Sequence, residues 1–206
     1  QTVSVTTQNT LSRDTGSLRI LKSLTNDDDA TVQSSFLVDY NCGVGFADQV
    51  SVAPGSPATV TGIPTGSTCT VTEVSPTPVS GFTWSTPSYT PSSVGIDKDA
   101  VVDITVGNVI TRDRGSLELA KTLSGGPAGY SGPFAVDFVC TIDGGSDRSG
   151  SRALDAGESV EVTGIPSGYE CVVSETVPTA PAGYSFADPT FVPSDATVTI
   201  VKGQTV

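Results

Sequence analysis

Apolar and polar residues alternate along most of this chain, in short runs that turn residues separate. Successive side chains of a β-strand point to opposite faces, so this alternation predicts half-buried strands. No long stretch favours a helix, and the sequence therefore predicts an all-β protein. In the first half of the chain the runs predict strands at 17–24, 34–42, 48–53, 58–62, 68–74, 82–85 and 100–109.

The second half of the chain repeats motifs of the first half. Residues 16–18 and 115–117 both read Gly-Ser-Leu, and residues 60–64 and 162–166 both read Val-Thr-Gly-Ile-Pro. The period is about 100 residues, the length of one immunoglobulin-like β-sandwich, so two tandem sandwiches are predicted. The linker near residues 111–114 is short and is not rich in Gly and Ser, which predicts that the two sandwiches form a rod.

The repeat boundaries are out of phase with the ends of the chain. Residues 1–16 align with residues 100–115, so Asn9 corresponds to Asn108. The second repeat stops before the strand equivalent to the last strand of the first. The predicted segments are the last strand and linker of a preceding repeat at 1–14, a first sandwich at 15–112, and a second sandwich without its last strand at 113–206.

Strand parity places polar side chains on the inward, apolar faces of both repeats. In the first repeat, Lys22 extends the apolar stripe of the first strand, Glu73 that of a middle strand, and Asn108 that of the last strand. In the second repeat Lys121 and Glu175 hold the same positions, and the equivalent asparagine is not in the chain. Such groups are costly to bury unpaired, so they are expected to interact.

Two interpretations of Lys22, Glu73 and Asn108 remain open. One is a buried Lys–Glu ion pair with the asparagine as a hydrogen-bonding neighbour. The other, which we favour, is an isopeptide bond between Lys22 and Asn108. Burial lowers the pKa of a lysine and frees a neutral amine, and a protonated glutamate can donate a hydrogen bond that polarises the asparagine carbonyl. Ammonia would leave, and the first and last strands would be covalently joined.

Three motifs surround these residues in the sequence. They are Gly-Ser-Leu followed after three residues by lysine, a Glu-to-Pro segment that ends in Gly-Phe or Gly-Tyr, and V-x-I-x-V-x-N at 102–108. Together they resemble the CnaB-type (SpaA-like) domains of Gram-positive surface proteins and pili, over both repeats. The cysteines and the Thr-Gly-Ile-Pro segment resemble a related repeat family of actinobacterial surface proteins. The resemblance implies a CnaB-like sandwich with Lys22, Glu73 and Asn108 as the bond-forming residues.

The four cysteines contain no C-x-x-C pair, which disfavours zinc and thioredoxin-like chemistry. Alternation places Cys42 and Cys140 on inward faces that look toward Cys69 and Cys171 respectively. One disulfide per repeat is predicted, Cys42–Cys69 and Cys140–Cys171, and each would contribute about 3–4 kcal/mol in the chain-entropy model. Free buried thiols are the alternative.

Composition excludes several classes of function. The sequence has no histidine, which removes the usual general base and the commonest metal ligand, so no enzyme, cofactor or metal is predicted. A formal charge of −12 disfavours nucleic acid and anionic membranes, and no membrane insertion is expected. The acidic run at 26–29 is interpreted as a solvated turn in preference to a calcium loop. The aromatic residues Phe82, Trp84, Tyr184 and Phe186 are interpreted as packing residues in preference to a sugar-binding platform.

The predicted function is therefore structural: a repeat of an extracellular stalk or fibre on a bacterial cell surface, with copies of itself or adjoining repeats as partners. The alternative is an adhesin module that recognises a host or matrix protein or a glycan through its loops. Residues 1–9 of a following copy could complete the second sandwich by strand addition, or be its covalent continuation. In either case Asn9 of that unit would face Lys121 and Glu175.

Overall fold

The computed structural model describes residues 2–26, 30–143 and 145–206. The chain divides into two compact units, Gln1–Thr111 and Arg112–Val206. Each unit is a pair of β-sheets enclosing an apolar core, and the predicted all-β class with tandem immunoglobulin-like sandwiches is confirmed.

The first unit contains the strands predicted from alternation, with boundaries that differ by a few residues, and two short strands that were not predicted, 88–90 and 94–95. Alternation gives no signal in segments this short. In chain order the strands are β1 (Thr15–Asn26), β2 (Phe36–Asn41), β3 (Ala47–Val52), β4 (Ala58–Pro64), β5 (Thr68–Glu73), β6 (Phe82–Trp84), β7 (Ser88–Thr90), β8 (Val94–Gly95) and β9 (Val101–Arg112).

The first and last long strands of this unit lie side by side. One sheet has the order β4-β1-β9-β6, with β7 also pairing with β9, and the other has the order β3-β2-β5-β8. β1 and β9 run parallel and in register from Ser17↔Val101 to Asn26↔Ile110. The inner faces of the two sheets bury the core, whose fully enclosed members include Leu18, Ile20, Phe36, Val38, Ile63 and Ile104.

The repeated Gly-Ser-Leu motif marks a close backbone approach. A Cβ atom on Gly16 would collide with the carbonyl oxygens of Asp97 and Ala100, and one on Gly115 would collide with those of Val201 and Gln204. The next residue in each repeat, a serine, donates its backbone N–H across this contact over 2.8 Å, to Ala100 O in the first unit and Gln204 O in the second. Both units therefore need glycine at the start of the first strand, where a second backbone segment lies directly against it.

Gly16→Ala is expected to lower the free energy of unfolding of the first unit by about 1–3 kcal/mol, because backbone must move to admit the methyl group. The matched control is Gly95→Ala, which meets open space and has no left-handed φ angle. Denaturant unfolding followed by the fluorescence of Trp84, the only tryptophan, reports the first unit. Equal losses in the two variants would contradict the close-approach explanation.

The Val-Thr-Gly-Ile-Pro motif contains a bulge. Pairing of β1 with β4 shifts register between Gly16 and Leu18, and the extra residues on β4 include Gly62 with a φ of 74°. The second unit repeats this with Gly164 at 73°. This left-handed conformation explains the glycine in both copies of the motif.

The second unit has fewer strands around its first strand. The sequence repeat predicts the same strand plan in the second unit, and this is wrong at residues 184–187, which align with β6 but lie outside any strand. Its strands are β10 (Arg114–Ala120), β11 (Phe134–Thr141), β12 (Arg148–Leu154), β13 (Ser159–Pro166), β14 (Glu170–Thr176) and β15 (Thr197–Thr199). They form two sheets, with the orders β10-β13 and β12-β11-β14-β15.

Candidate functional site

The parallel pairing of β1 with β9 brings Lys22 and Asn108 to the inner face of one sheet. Lys22 pairs with Val106, and Asn108, two residues further along β9, pairs with Leu24. Residues two apart on a strand share a face, so Val106 and Asn108 both point into the core beside Lys22. Both polar residues are buried, and Asn108 is only 3% exposed.

Lys22 forms an ion pair with Glu73 inside the core. Lys22 Nζ lies 2.9 Å from Glu73 Oε1, and both side chains are 0% exposed. The ammonium group also lies 4.4 Å from the ring centre of Phe36 and 3.5 Å from the carbonyl oxygen of Val106. Glu73 is held in place by its backbone N–H, which donates to the hydroxyl of Tyr89 over 2.9 Å. The lysine and glutamate side chains are therefore held together in the core, out of contact with solvent.

Asn108 has neither a hydrogen bond nor an ion pair in this cluster, whereas the carboxylate of Glu73, which also lacks hydrogen-bond partners, has its ion pair with Lys22. Neither Oδ1 nor Nδ2 of its carboxamide has a hydrogen-bond partner among the described residues. A buried polar group without a partner costs about 1–3 kcal/mol, and folded proteins contain few of them. The interpretation in which Asn108 is merely a hydrogen-bonding neighbour of the pair therefore lacks the hydrogen bond that it requires.

Burial lowers the pKa of Lys22 below its ordinary value of 10.5, and the hydrogen bond and charge of Glu73 oppose this shift without cancelling it. Removing the ammonium from water disfavours its charged form, so the neutral amine is easier to reach here than on an exposed lysine. A lysine that acts as a nucleophile requires a lowered pKa of this kind.

The stability of an Asn108→Ala chain, which cannot join Asn108 to Lys22, is expected to rise with pH toward 10.5. Because folding lowers the pKa of Lys22, the unfolded chain binds more protons between the two pKa values, and the free energy of unfolding increases across that window. Below the pKa of Lys22 in the folded protein, the full cost of burying its charged amine remains. Above 10.5 that cost is gone. Trp84 fluorescence during denaturation at several pH values measures this.

The matched control for that titration carries Lys22→Met and Glu73→Leu in addition. Removing both partners removes the buried charges without leaving either one unpaired. The control should lose the rise in stability with pH, whereas an equal rise in both chains would assign it to other groups.

The second unit holds the equivalent lysine and glutamate at the wall of an open groove. Lys121 Nζ lies 2.7 Å from Glu175 Oε2, with the two side chains 14% and 8% exposed, and it lies 4.2 Å from the ring centre of Phe134. The groove beside β10 has a volume of about 550 Å³. Its walls include Leu117, Leu119, Lys121, Phe134, Val173 and Phe186.

Asn9 is exposed and belongs to a segment outside any strand. No asparagine follows Asn108 in the sequence. The structure therefore brings together Lys22, Glu73 and Asn108 in the first unit, but only Lys121 and Glu175 in the second.

A family model described as "Domain of unknown function (DUF5979)" matches residues 18–111 and again residues 117–206. The chain belongs to the DUF5979 family. Each unit is thus one DUF5979 repeat. The resemblance to CnaB-type domains is a finer assignment than this family, and it stays a prediction.

Solved structures similar to this DUF5979 chain include the TIE protein of Bacillus anthracis, at 17% identity over 94% of this chain and 33% of that one, with a TM-score of 0.47. The major pilin of Streptococcus pyogenes is 18% identical over 81% and 83% of the two chains, with a TM-score of 0.32. A Mobiluncus mulieris adhesin containing intramolecular disulfide, isopeptide and ester bond cross-links is 23% identical over 47% and 41%, with a TM-score of 0.32. The chain spans a third of the TIE protein, and no curated protein matches it.

Each DUF5979 repeat has a disulfide between neighbouring strands. Cys42 is bonded to Cys69 with Cα atoms 4.0 Å apart, and Cys140 is bonded to Cys171 with Cα atoms 3.9 Å apart. All four side chains are buried in the cores. The structure thus pairs the cysteines in the way that strand parity predicts.

Sequence reasoning missed the groups that surround the lysines of the two DUF5979 repeats. A phenylalanine opens the second strand of each repeat, and its ring lies against the lysine ammonium in both, Phe36 at Lys22 and Phe134 at Lys121. Their matching positions are the signal that could have revealed this contact. Tyr89, which binds Glu73, gives no such signal, because β7 has no counterpart in the second repeat.

The remaining candidates from the sequence are the aromatic residues and the acidic run at 26–29. Trp84 packs edge-on against Phe36, with ring centres 6.0 Å apart, and Phe186 packs against Phe134 at 5.8 Å. Residues 27–29 of the acidic run lie outside the described residues. Within the described ranges, no cluster of three or more potential metal ligands occurs, and no helix is long and apolar enough to cross a membrane.

Proposed function

We propose that this DUF5979 chain is a structural repeat of an extracellular stalk or fibre on a bacterial surface, and that an isopeptide bond between Lys22 and Asn108 closes its first unit. One observation carries the proposal: Asn108, buried and without a hydrogen-bond partner, lies next to a buried lysine of lowered pKa across the first and last strands. The two disulfides support an oxidising, extracytoplasmic location.

The bond-forming step uses only groups in the core. Lys22 transfers a proton to Glu73, and its neutral Nζ attacks Cγ of Asn108 while the protonated carboxyl group donates to Oδ1. The new C–N bond replaces the bond from Cγ to Nδ2. The departing nitrogen takes up one proton of the lysine nitrogen, with the glutamate as carrier, and leaves as ammonia; the other proton that the lysine ammonium loses stays on Glu73.

Such a bond suits a load-bearing module because of where it lies. β1 and β9 are the first and last strands of the unit, and tension applied through the chain would pull on their shared parallel ladder. Without a crosslink, hydrogen bonds that each contribute about 0.5–1.5 kcal/mol would carry that load. A covalent bond between the same two strands would transmit the load past the rest of the sandwich.

Mass spectrometry of the reduced protein tests the proposal. The first unit should lack one molecule of ammonia, and digestion should yield a branched peptide that joins the segments around Lys22 and Asn108. Branched-peptide mapping is needed because an N-terminal glutamine can also lose ammonia by cyclising. Lys22→Met should prevent the branch and Lys121→Met should not; separate linear peptides from the wild-type chain would refute the bond.

The second unit extends the proposal from one chain to an assembly. Lys121 and Glu175 form an ion pair, and the second unit contains no asparagine to react with them. Asn9 occupies the place of Asn108 in the alignment of residues 1–16 with 100–115. A strand with the sequence of residues 1–9 would complete this sandwich and present Asn9 to Lys121. That strand would come either from a second copy, assembled head to tail, or from an adjoining repeat that continues the chain.

A further inference from the structure

Glu73 lies at the end of its strand, where a neighbouring strand supports it on one edge only. Val74 N–H donates to Leu37 O of β2 over 2.9 Å, so the N–H of Glu73, one residue earlier, points to the opposite edge of β5. On that edge β8 pairs with β5 only at Thr68 and Cys69. Within the described residues, the backbone N–H of Glu73 therefore has no strand to bind.

The hydroxyl of Tyr89 takes the place of that missing strand, because it accepts the N–H of Glu73 over 2.9 Å. Tyr89 pairs with Val106 on one side of β9, and Lys22 pairs with Val106 on the other side. Directly opposed residues share a face of a sheet, so Tyr89 and Lys22 both project inward from the strands that flank β9. Lys22 contacts the carboxylate of Glu73 over 2.9 Å. Glu73 is thus held from both sides of the strand that carries Asn108.

The second repeat keeps the aromatic ring at this position without the hydroxyl. Residues 87–91 read Pro-Ser-Tyr-Thr-Pro, and residues 189–193, which form no strand, read Pro-Thr-Phe-Val-Pro. Phe191 therefore aligns with Tyr89, and both side chains are half-buried. Since a phenylalanine supplies the same apolar ring, the hydroxyl of Tyr89 needs an explanation other than packing.

We propose that Tyr89 is a positioning residue for the Lys22–Asn108 bond, and that its hydroxyl fixes Glu73 over β9 so that one carboxyl group serves both reacting side chains. That carboxyl group accepts a proton from Lys22 and donates to Oδ1 of Asn108, and a small displacement of such a group slows a reaction strongly. Without the hydroxyl, the N–H of Glu73 loses its partner and the end of β5 is free to shift. The inference rests on the proposed bond and names the group that aligns its proton carrier.

The rate of bond formation tests this role. The full chain is assembled by chemical ligation in denaturant, so that it starts linear, and dilution into an oxidising buffer starts folding. Mass spectrometry then follows the branched peptide that joins Lys22 to Asn108. Tyr89→Phe should slow its formation by about 10- to 100-fold, because the carboxyl group of Glu73 is displaced. Tyr40→Phe, at a half-buried tyrosine packed against the same core, is the matched control and should leave the rate unchanged.

A double-mutant cycle separates positioning from a plain contribution to folding, and it needs no Lys–Asn bond. All chains carry Asn108→Leu, and Trp84 fluorescence follows their unfolding in denaturant. Tyr89→Phe should raise the unfolding constant by a factor at least about threefold larger when Lys22 and Glu73 are present than when they are replaced by Lys22→Met and Glu73→Leu. The reason is that the hydroxyl then orients a buried ion pair as well as binding an N–H group.

Each other outcome contradicts a defined part of the inference. Equal rates in the two tyrosine variants overturn the role of Tyr89 in the reaction. A slower reaction with equal factors in the cycle assigns the slowing to weaker folding and overturns the positioning of Glu73. A wild-type chain that stays linear refutes the proposed bond, whereas the cycle alone decides whether Tyr89 positions Glu73, so the two proposals fail separately.

Discussion

Replacing Asn108 with leucine is expected to lower the free energy of unfolding of the first unit by about 4–5 kcal/mol. The proposed bond would close a loop that spans nearly the whole unit, and in the chain-entropy model a crosslink over about 100 residues contributes about 4.7 kcal/mol. Leucine has the same branching and the same number of side-chain heavy atoms as asparagine, so the variant loses the bond without leaving a cavity. Denaturant unfolding followed by Trp84 fluorescence measures the change.

The sign of this change separates the two interpretations of the site. If no bond exists, Asn108 is a buried amide without a hydrogen-bond partner, and an apolar residue of the same branched shape should leave stability nearly unchanged or raise it. A loss of several kcal/mol therefore requires that Asn108 be bonded. Asn41→Leu, at an exposed end of β2, is a control for the substitution itself and should cost only about 0.5–1.5 kcal/mol, because it removes the one hydrogen bond from Gly43 N–H to Asn41 Oδ1.

Much of this site follows from strand parity alone. Alternation assigns Lys22, Glu73 and Asn108 to inward faces, and all three are buried. The repeat adds a check, because the same positions recur as Lys121 and Glu175 in a second sequence. Parity cannot give the pairing of strands. The structure places β1 beside β9, in a register that sets Asn108 two residues beyond the partner of Lys22. This arrangement depends on sheet topology, which alternation does not encode.

Other features escape the sequence because they depend on distant neighbours. Tyr89 reaches Glu73 from a strand of three residues, too short for alternation to detect. The pairing of Arg19 with Asp103 lies on the outer face, where either residue alone is an ordinary surface charge. The register of β1 with β9 sets these two residues opposite each other, and alternation does not encode that register. In the second repeat, Glu118 stands at the place of Arg19.

In a chain that already carries Asn108→Leu, the further change Glu73→Ala is expected to cost about 3–5 kcal/mol, because Lys22 would be left charged and unpaired in the core. The side chain of Lys22 has no exposed surface through which water could replace the lost carboxylate. The same unfolding measurement applies, with Trp84 as the reporter of the first unit.

The second unit supplies the control for this prediction. Glu175→Ala removes the same partner from Lys121, whose side chain is 14% exposed beside an open groove, so water can solvate the ammonium and the loss should be smaller. Calorimetry resolves the second unit, which has no tryptophan. Replacing both partners in the first unit, with Lys22→Met and Glu73→Leu, should restore most of the stability. If the single and double changes cost the same, the loss comes from packing, and Glu73 is not the counter-charge that holds Lys22 ready for reaction.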